Sequence, residues 1–368
     1  MTTRRTLLTG LGAGGLSAFA PAGLRLSSAY GSSRSRLWDN ATGPHLRGAV
    51  IAQRRVYPAL DGDTFLGNGL IGAPVSQRAL DDLAEAGANL AVWSGPGVFG
   101  ETAPFRADPA VEDHIGQWLD MCQRAGLYTV LGFRSGPGRS AFAFHRNESW
   151  YPSRLLDETL WTDGDKQAAW VAMAIHAARR FASHRALAGI MPMVEPNAAD
   201  LGHSAVWSAM ASALHVAWLE ALDVPLLISP DRWARAEALP QLASSVRSGA
   251  VMAVHDYDPW AYTHQGEGAG VRLPSDPPSL PAAMAGTPRW ACLEFGASLT
   301  APGLARYFET RIAALEGAGA NWAVFRWPSG WRTYETRETG MNVTLSPTAM
   351  GVLTRAFSRN QVRAGSNS

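Results

Sequence analysis

"LAGIMPMVEPN", residues 187–197, decides how this chain is to be read. Its first half is apolar at nearly every position, and it stops on a carboxylate, Glu195, followed by Pro196 and Asn197. A short run without polar alternation marks a strand covered on both faces, as in a parallel sheet flanked by helices. An acid that closes such a strand is presented at its C-terminal edge, which is where barrels of this kind keep their chemistry.

The same pattern recurs on both sides of it. Upstream lie "LRGAVIA" (46–52), "ANLAVWS" (88–94) and "LYTVLGF" (127–133); downstream lie "VPLLIS" (224–229), "GAVMAVHDY" (249–257), "PRWACLEFG" (288–296) and "GANWAVFRW" (319–327). Amphipathic segments such as "SQRALDDLAEAG", "VEDHIGQWLDMCQRAG", "KQAAWVAMAIHAARRFASH" and "GLARYFETRIAALEGAG" fall between them, and "SPTAMGVLTRAFSRN" closes the series. Strands joined through helices imply right-handed parallel crossovers. Eight such units predict an α/β fold, a (β/α)8 TIM barrel forming a single domain over residues 41–368. An open doubly wound sheet is the alternative, but no GxGxxG follows the first strand. "GEGAGVRLPSDPPSLP" (266–281) reads as a long loop after strand six.

The chain has 368 residues, 46% of them hydrophobic, and a formal net charge of +1. That balance suits a globular protein with a sizeable core and gives no reason to expect a nucleic acid or an anionic membrane as partner. Fourteen tryptophans are enough for a core and for stacking on sugar rings as well. Cys122 and Cys292 sit in a helical and a strand pattern and are expected to be buried free thiols. Without CxxC or Cys/His clusters, neither a metal nor a cofactor is expected. At the N-terminus, "TRRTLLTGLGAGGLSAFAPAGL" places Arg4 and Arg5 before a weakly apolar, glycine-rich run. This resembles a twin-arginine export signal and is too short for stable membrane insertion. Residues 1–40 are therefore expected to be signal and disordered segment. The twin-arginine translocation machinery is then a partner during export, and the destination is periplasmic or extracellular.

Reading only the strand ends gives a candidate site. Strand three ends on Arg134, strand four on Glu195, strand six on His255 and Tyr257, strand seven on Glu294, and strand eight on Arg326, Trp327 and Trp331. Strand alternation turns His255 and Tyr257 the same way and Asp256 and Asp258 the other. That argues against a metal site built from His255, Asp256 and Asp258. A serine hydrolase is weaker still, since no GxSxG is present. Two carboxylates over a tryptophan-lined mouth are the apparatus of glycoside hydrolysis, one acid donating a proton and the other attacking. If the pair acts with retention, the carboxyl groups should lie about 5–5.5 Å apart.

The ordered set resembles the retaining (β/α)8 glycoside hydrolases, in particular the cellulase-like family 5, over roughly residues 45–357. The resemblance implies a hydrolase that cleaves the O-glycosyl bonds of a β-linked oligo- or polysaccharide by double displacement. On it, Glu195 in "VEPN" takes the acid/base role and Glu294 in "CLEFG" the nucleophile. It also implies substrate contacts from His255, Tyr257 and Trp327. The departures are local. The family's usual asparagine before the acid/base is Val194 here, Trp93 stands where an arginine follows strand two, and Arg134 stands where a histidine follows strand three. Asn197 and Arg134 are candidates to replace the lost donors, and Trp93, Trp150, Trp161, Trp260 and Trp331 are candidates to line subsites. Val194 favours the alternative, a non-catalytic or weakly active carbohydrate-binding barrel.

Overall fold

The computed structural model describes residues 34–61, 71–72, 75–242, 244–266, 268–276, 279–284, 286–287, 289–298, 301–327 and 347–365. The eight expected strands are β1 Arg47–Ala52, β2 Leu90–Pro96, β3 Tyr128–Ser135, β4 Leu187–Met191, β5 Leu227–Ile228, β6 Val251–His255, β7 Trp290–Glu294 and β8 Asn321–Phe325. All neighbours are parallel, in the order β4-β3-β2-β1-β8-β7-β6-β5. A parallel bridge between Ile190 and Leu226 joins the two ends, so the sheet closes into a barrel. Gly189 makes that closure possible: a Cβ there would lie 2.4 Å from Leu227 Cδ1 and 2.9 Å from the Pro225 carbonyl oxygen. A larger residue would hold β5 away from β4.

The long helices are α1 Gln77–Glu85, α2 Pro109–Arg124, α3 Gly164–Phe181, α4 Ser204–Ala221, α5 Leu304–Gly317 and α6 Pro347–Phe357. Their starts are written locally. Ser76, Asp108 and Asp163 each accept a backbone N–H of the first turn, and Pro109 opens α2, where its missing N–H costs nothing. Two crossovers depart from the helical expectation. Between β5 and β6 the described residues hold only short turns and Ser244–Arg247, and between β6 and β7 only Trp260–Thr263 and Ala282–Met284. The chain there forms loops over the barrel mouth instead.

The core has two parts. Val50, Val92, Val130, Met191, Val194, Leu227, Ala253 and Leu293 fill the barrel interior. A larger layer between sheet and helices takes most of the tryptophan: Trp93, Trp118, Trp161, Trp170, Trp207 and Trp322 are all fully buried there. Cys122 and Cys292 are buried and free, as expected. Residues 34–40 correct the expected domain boundary. Arg34 donates to the carbonyls of Ala182 (2.7 Å) and His184 (3.0 Å), and the buried Trp38 indole donates to the Ala188 carbonyl (3.1 Å). This segment packs on the barrel and belongs to the folded domain. The export-signal reading falls on residues 1–33, which lie outside the described residues.

Candidate active site

A cavity of about 1150 Å³ opens over the C-terminal ends of the strands. Glu195 reaches it from the turn after β4. Its backbone is left-handed, with φ 49°, a conformation that costs a non-glycine residue about 1–3 kcal/mol. The turn is held from several sides. Val194 N–H donates to the Phe133 carbonyl (2.9 Å), and Trp233 N–H to the Pro196 carbonyl (2.9 Å). Arg139, fully buried in the loop after β3, donates Nη1 to the Val194 carbonyl (2.9 Å) and Nη2 to the Glu195 carbonyl (2.7 Å). Val194 itself points into the barrel interior, among the core side chains.

His255 and Glu294 are the last residues of β6 and β7 and are partners in the sheet register. His255 Nδ1 lies 2.8 Å from Glu195 Oε1 and 3.4 Å from Glu294 Oε2. The Tyr257 hydroxyl donates to Glu294 Oε2 at 3.0 Å. One oxygen of each glutamate and one His255 ring nitrogen all lie within 4.8 Å of each other. Two ligands of a tetrahedral ion with bonds of about 2.1 Å would stand roughly 3.4 Å apart. The 2.8 Å spacing of His255 and Glu195 therefore fits a shared proton better than a shared cation.

Burial and charge divide the two carboxyls. Burial pushes Glu294 up to about 6, the Glu195 charge adds to the rise, and His255, Arg134 and the Tyr257 hydroxyl oppose it. Burial pushes Glu195 up as well, but the hydrogen bond and charge of His255, with Arg134 and Arg139 behind, outweigh it and hold Glu195 below the usual range. Burial works against a charged His255, yet the two glutamates override it and raise its pKa. In the free site the mobile proton therefore rests on His255 and, below about pH 6, on Glu294, while Glu195 stays ionised. This ordering is the reverse of the expected one, in which Glu195 carries the raised pKa.

No protein-family model matches the chain, and no curated protein does. Solved structures do. Endoglucanase Cel5A from the hyperthermophilic Thermotoga maritima aligns with a TM-score of 0.62 at 16% identity, over 88% of this chain and 99% of that one. The same Cel5A in complex with a mannotriose substrate gives 0.61 at 16% identity, over 87% and 99%. A GH5-4 broad specificity endoglucanase from Bacteroides salanitronis gives 0.58 at 17% identity, over 85% and 93%. The fold is that of the family 5 endoglucanases. At such identity the likeness extends to the (β/α)8 barrel, and the chemistry has to be argued from this chain's own side chains.

The expected site residues divide sharply. Glu195, Glu294, His255 and Tyr257 meet, and Arg134 lines the cavity beside them, its guanidinium carbon 3.8 Å from the centre of the Phe144 ring. Three others turn away. Trp93 is fully buried, its indole donating to Gln53 Oε1 (2.8 Å), so Gln53 and not the tryptophan reaches the cavity. Asn197 is buried and donates to Glu158 Oε1 (2.6 Å), which removes it as a substitute for the missing asparagine. The half-buried Trp327 donates its indole N–H to the Ala79 carbonyl in α1 (2.7 Å) and does not line the cavity. Trp161 is core, Trp150 is bound to Glu148, and Trp331 lies outside the described residues. Asp256 pairs with Arg311 (2.6 Å) behind the site, and Asp258 sits 3.4 Å from Arg235. Trp260 does reach the rim, 56% exposed and stacked on His264. The sequence reading missed Trp233, which lines the cavity from a run of three left-handed residues, Arg232–Ala234, with its indole on Asp200 Oδ2 (2.7 Å). Nothing in "PDRWAR" signals that backbone.

Proposed function

We propose that this chain is a glycoside hydrolase acting on β-linked sugars with retention, with Glu294 as nucleophile and Glu195 as acid/base. The observation that carries this reading is the pair of carboxylates, Glu195 in the turn after β4 and Glu294 at the end of β7, with oxygens within 4.8 Å. Oxygens this close support a covalent intermediate, for which the carboxyl groups lie about 5–5.5 Å apart; inversion needs about 6.5–9.5 Å to admit a water. The Glu294 carboxylate attacks the anomeric carbon as the glycosidic oxygen leaves with a proton from Glu195. Glu195 then removes a proton from the water that releases the sugar. The resting proton order is compatible with this. Above about pH 6 Glu294 is the anion the attack requires. The proton for the leaving oxygen is one short transfer away, across the 2.8 Å bond from His255 to Glu195. Tyr257 orients Glu294 through its hydroxyl.

The test is a panel of aryl β-glycosides and β-linked polysaccharides, with the first product's anomer determined by NMR. Retained configuration is expected. Glu294→Ala should abolish turnover, and Glu195→Ala should lower it by about 10²–10⁴-fold. An inverted product, or an undiminished rate in either variant, overturns the assignment. Val194 supports a second reading, a binding barrel without turnover, because the turn after β4 offers no side chain to the sugar's 2-hydroxyl. Saturable sugar binding with no product from any substrate would favour it. Export through the twin-arginine route, to the periplasm or the exterior, is part of the proposal and rests on Arg4, Arg5 and the run that follows. No described helix is long and apolar enough to cross a membrane.

A further inference from the structure

The charge on the cavity floor is uneven. Around the cavity other ions are paired: the buried Arg54 with Asp61 (2.6 Å), Arg146 with Glu158 (2.7 Å), and Arg235 between Glu237 (3.6 Å) and Asp258 (3.4 Å). On the floor, His255 and Arg134 act on both Glu195 and Glu294, and Arg139 acts on Glu195 from behind the wall. Arg139 spends its donors on backbone carbonyls, and its charge is met by Glu158, Glu195 and Asp231 behind the cavity wall. Arg134 is more telling. Its guanidinium carbon lies over the Phe144 ring, 3.8 Å from the ring centre, and the side chain is half-buried in the cavity wall and donates to no described side chain or carbonyl. A guanidinium braced by an aromatic face, with its planar fork of N–H groups unspent, is built to receive a planar anion or a tetrahedral oxyanion.

We propose that the sugar bound beside the glutamates is acidic, carrying a carboxylate or sulfate that Arg134 grips. The proposal rests on the glycosidase reading for the identity of the ligand as a sugar and adds the substrate class. It also gives Val194 a reason. A site that positions its sugar through a charged substituent depends less on a donor to the 2-hydroxyl. Two carboxylates near an acidic ligand would ordinarily repel it, and Arg134, whose charge acts on both of them, offsets that repulsion.

The test separates binding from turnover. The probes are methyl β-D-glucuronide, methyl β-D-glucoside 6-sulfate and methyl β-D-glucoside, titrated calorimetrically into the wild-type protein, Arg134→Met and Arg134→Lys at low and high salt. At least one acidic probe should bind about 10–100-fold more tightly than the neutral one, the range of a charge-assisted hydrogen bond pair. The gap should shrink with salt, close in Arg134→Met, and close in part in Arg134→Lys. The tighter of the two acidic probes identifies the substituent. Equal or tighter binding of the neutral glucoside by the wild type overturns the proposal, as does a gap that survives in a folded Arg134→Met. Matching aryl glycosides then report turnover. Hydrolysis of neutral substrates without an acidic preference would remove this inference and leave the glycosidase standing. Selective acid binding without hydrolysis of any glycoside would do the reverse.

Discussion

Replacing Tyr257 with phenylalanine isolates one hydrogen bond at the reacting centre. The hydroxyl donates to Glu294 Oε2 at 3.0 Å and is one of the groups that favour the glutamate's anion. Glu294 already sits at about 6 because burial works against its charge. A hydrogen bond to a charged group is worth about 1.5–3 kcal/mol, which is about 1–2 pKa units at 1.36 kcal/mol each. Removing it should carry Glu294 up by that amount, to roughly 7–8. In the proposed mechanism Glu294 attacks as the anion, so activity is lost as pH falls through its pKa. The acid limb of kcat/KM should therefore move from near 6 in the wild type to roughly 7–8 in Tyr257→Phe. The variant should be about 10–100-fold slower at pH 5.5 and close to wild type at pH 9. The assay is a pH–rate profile on an aryl β-glycoside, with far-UV circular dichroism to confirm folding at each pH. A uniform drop at every pH, with the limb unmoved, would refute this reasoning and reassign Tyr257 to substrate contact.

Two further substitutions test the supports of the site. Arg311→Met should cost about 3–5 kcal/mol in denaturant unfolding, because it leaves Asp256 buried without its 2.6 Å partner. Asp256 is already raised by burial, with Arg311 the main opposing group. A buried acid whose folded pKa is raised destabilises the fold above its unfolded value. The loss in Arg311→Met should therefore shrink as pH falls toward about 4, and Asp256→Asn should recover part of it; a pH-independent loss contradicts this. Arg139→Met should orphan the Val194 and Glu195 carbonyls, costing about 2–4 kcal/mol and lowering kcat more than it raises KM. Unchanged kcat in a destabilised variant would show that the left-handed turn does not need the clamp.

The strands were legible because burial on both faces leaves no polar alternation, and the barrel follows from repeating such a strand with helices between. His255 and Glu294 were legible for the same reason: they are the last residues of their strands, and the sheet register fixes where they stand. Glu195 and Tyr257 lie beyond strand ends and were legible through the ordered set of motifs instead. Legibility ended where the chain leaves the sheet. Trp327 and Asn197 follow strand ends, but a turn governs their direction, and alternation no longer applies. Trp93 was assigned to the mouth by analogy with an arginine and is held in the core by its size and by Gln53. Trp233 depends on three left-handed residues in succession, which carry no glycine to announce them. Residues 34–40 looked like leader, yet Trp38 is part of the core. The proton order of the two glutamates depends on a histidine shared between them, a distance that no motif encodes.

The closure of the ring has a mechanical consequence. β5 is two residues long, and the single Ile190–Leu226 bridge joins it to β4. Glu195 hangs from β4 on one side of this seam; His255 and Glu294 hang from β6 and β7 on the other. The spacing that distinguishes retention from inversion is thus set across the thinnest joint of the barrel. Slow exchange of the Ile190 amide with solvent deuterium would mark a joint that stays shut, and the His255–Glu195 bond is then one of the stitches that hold it.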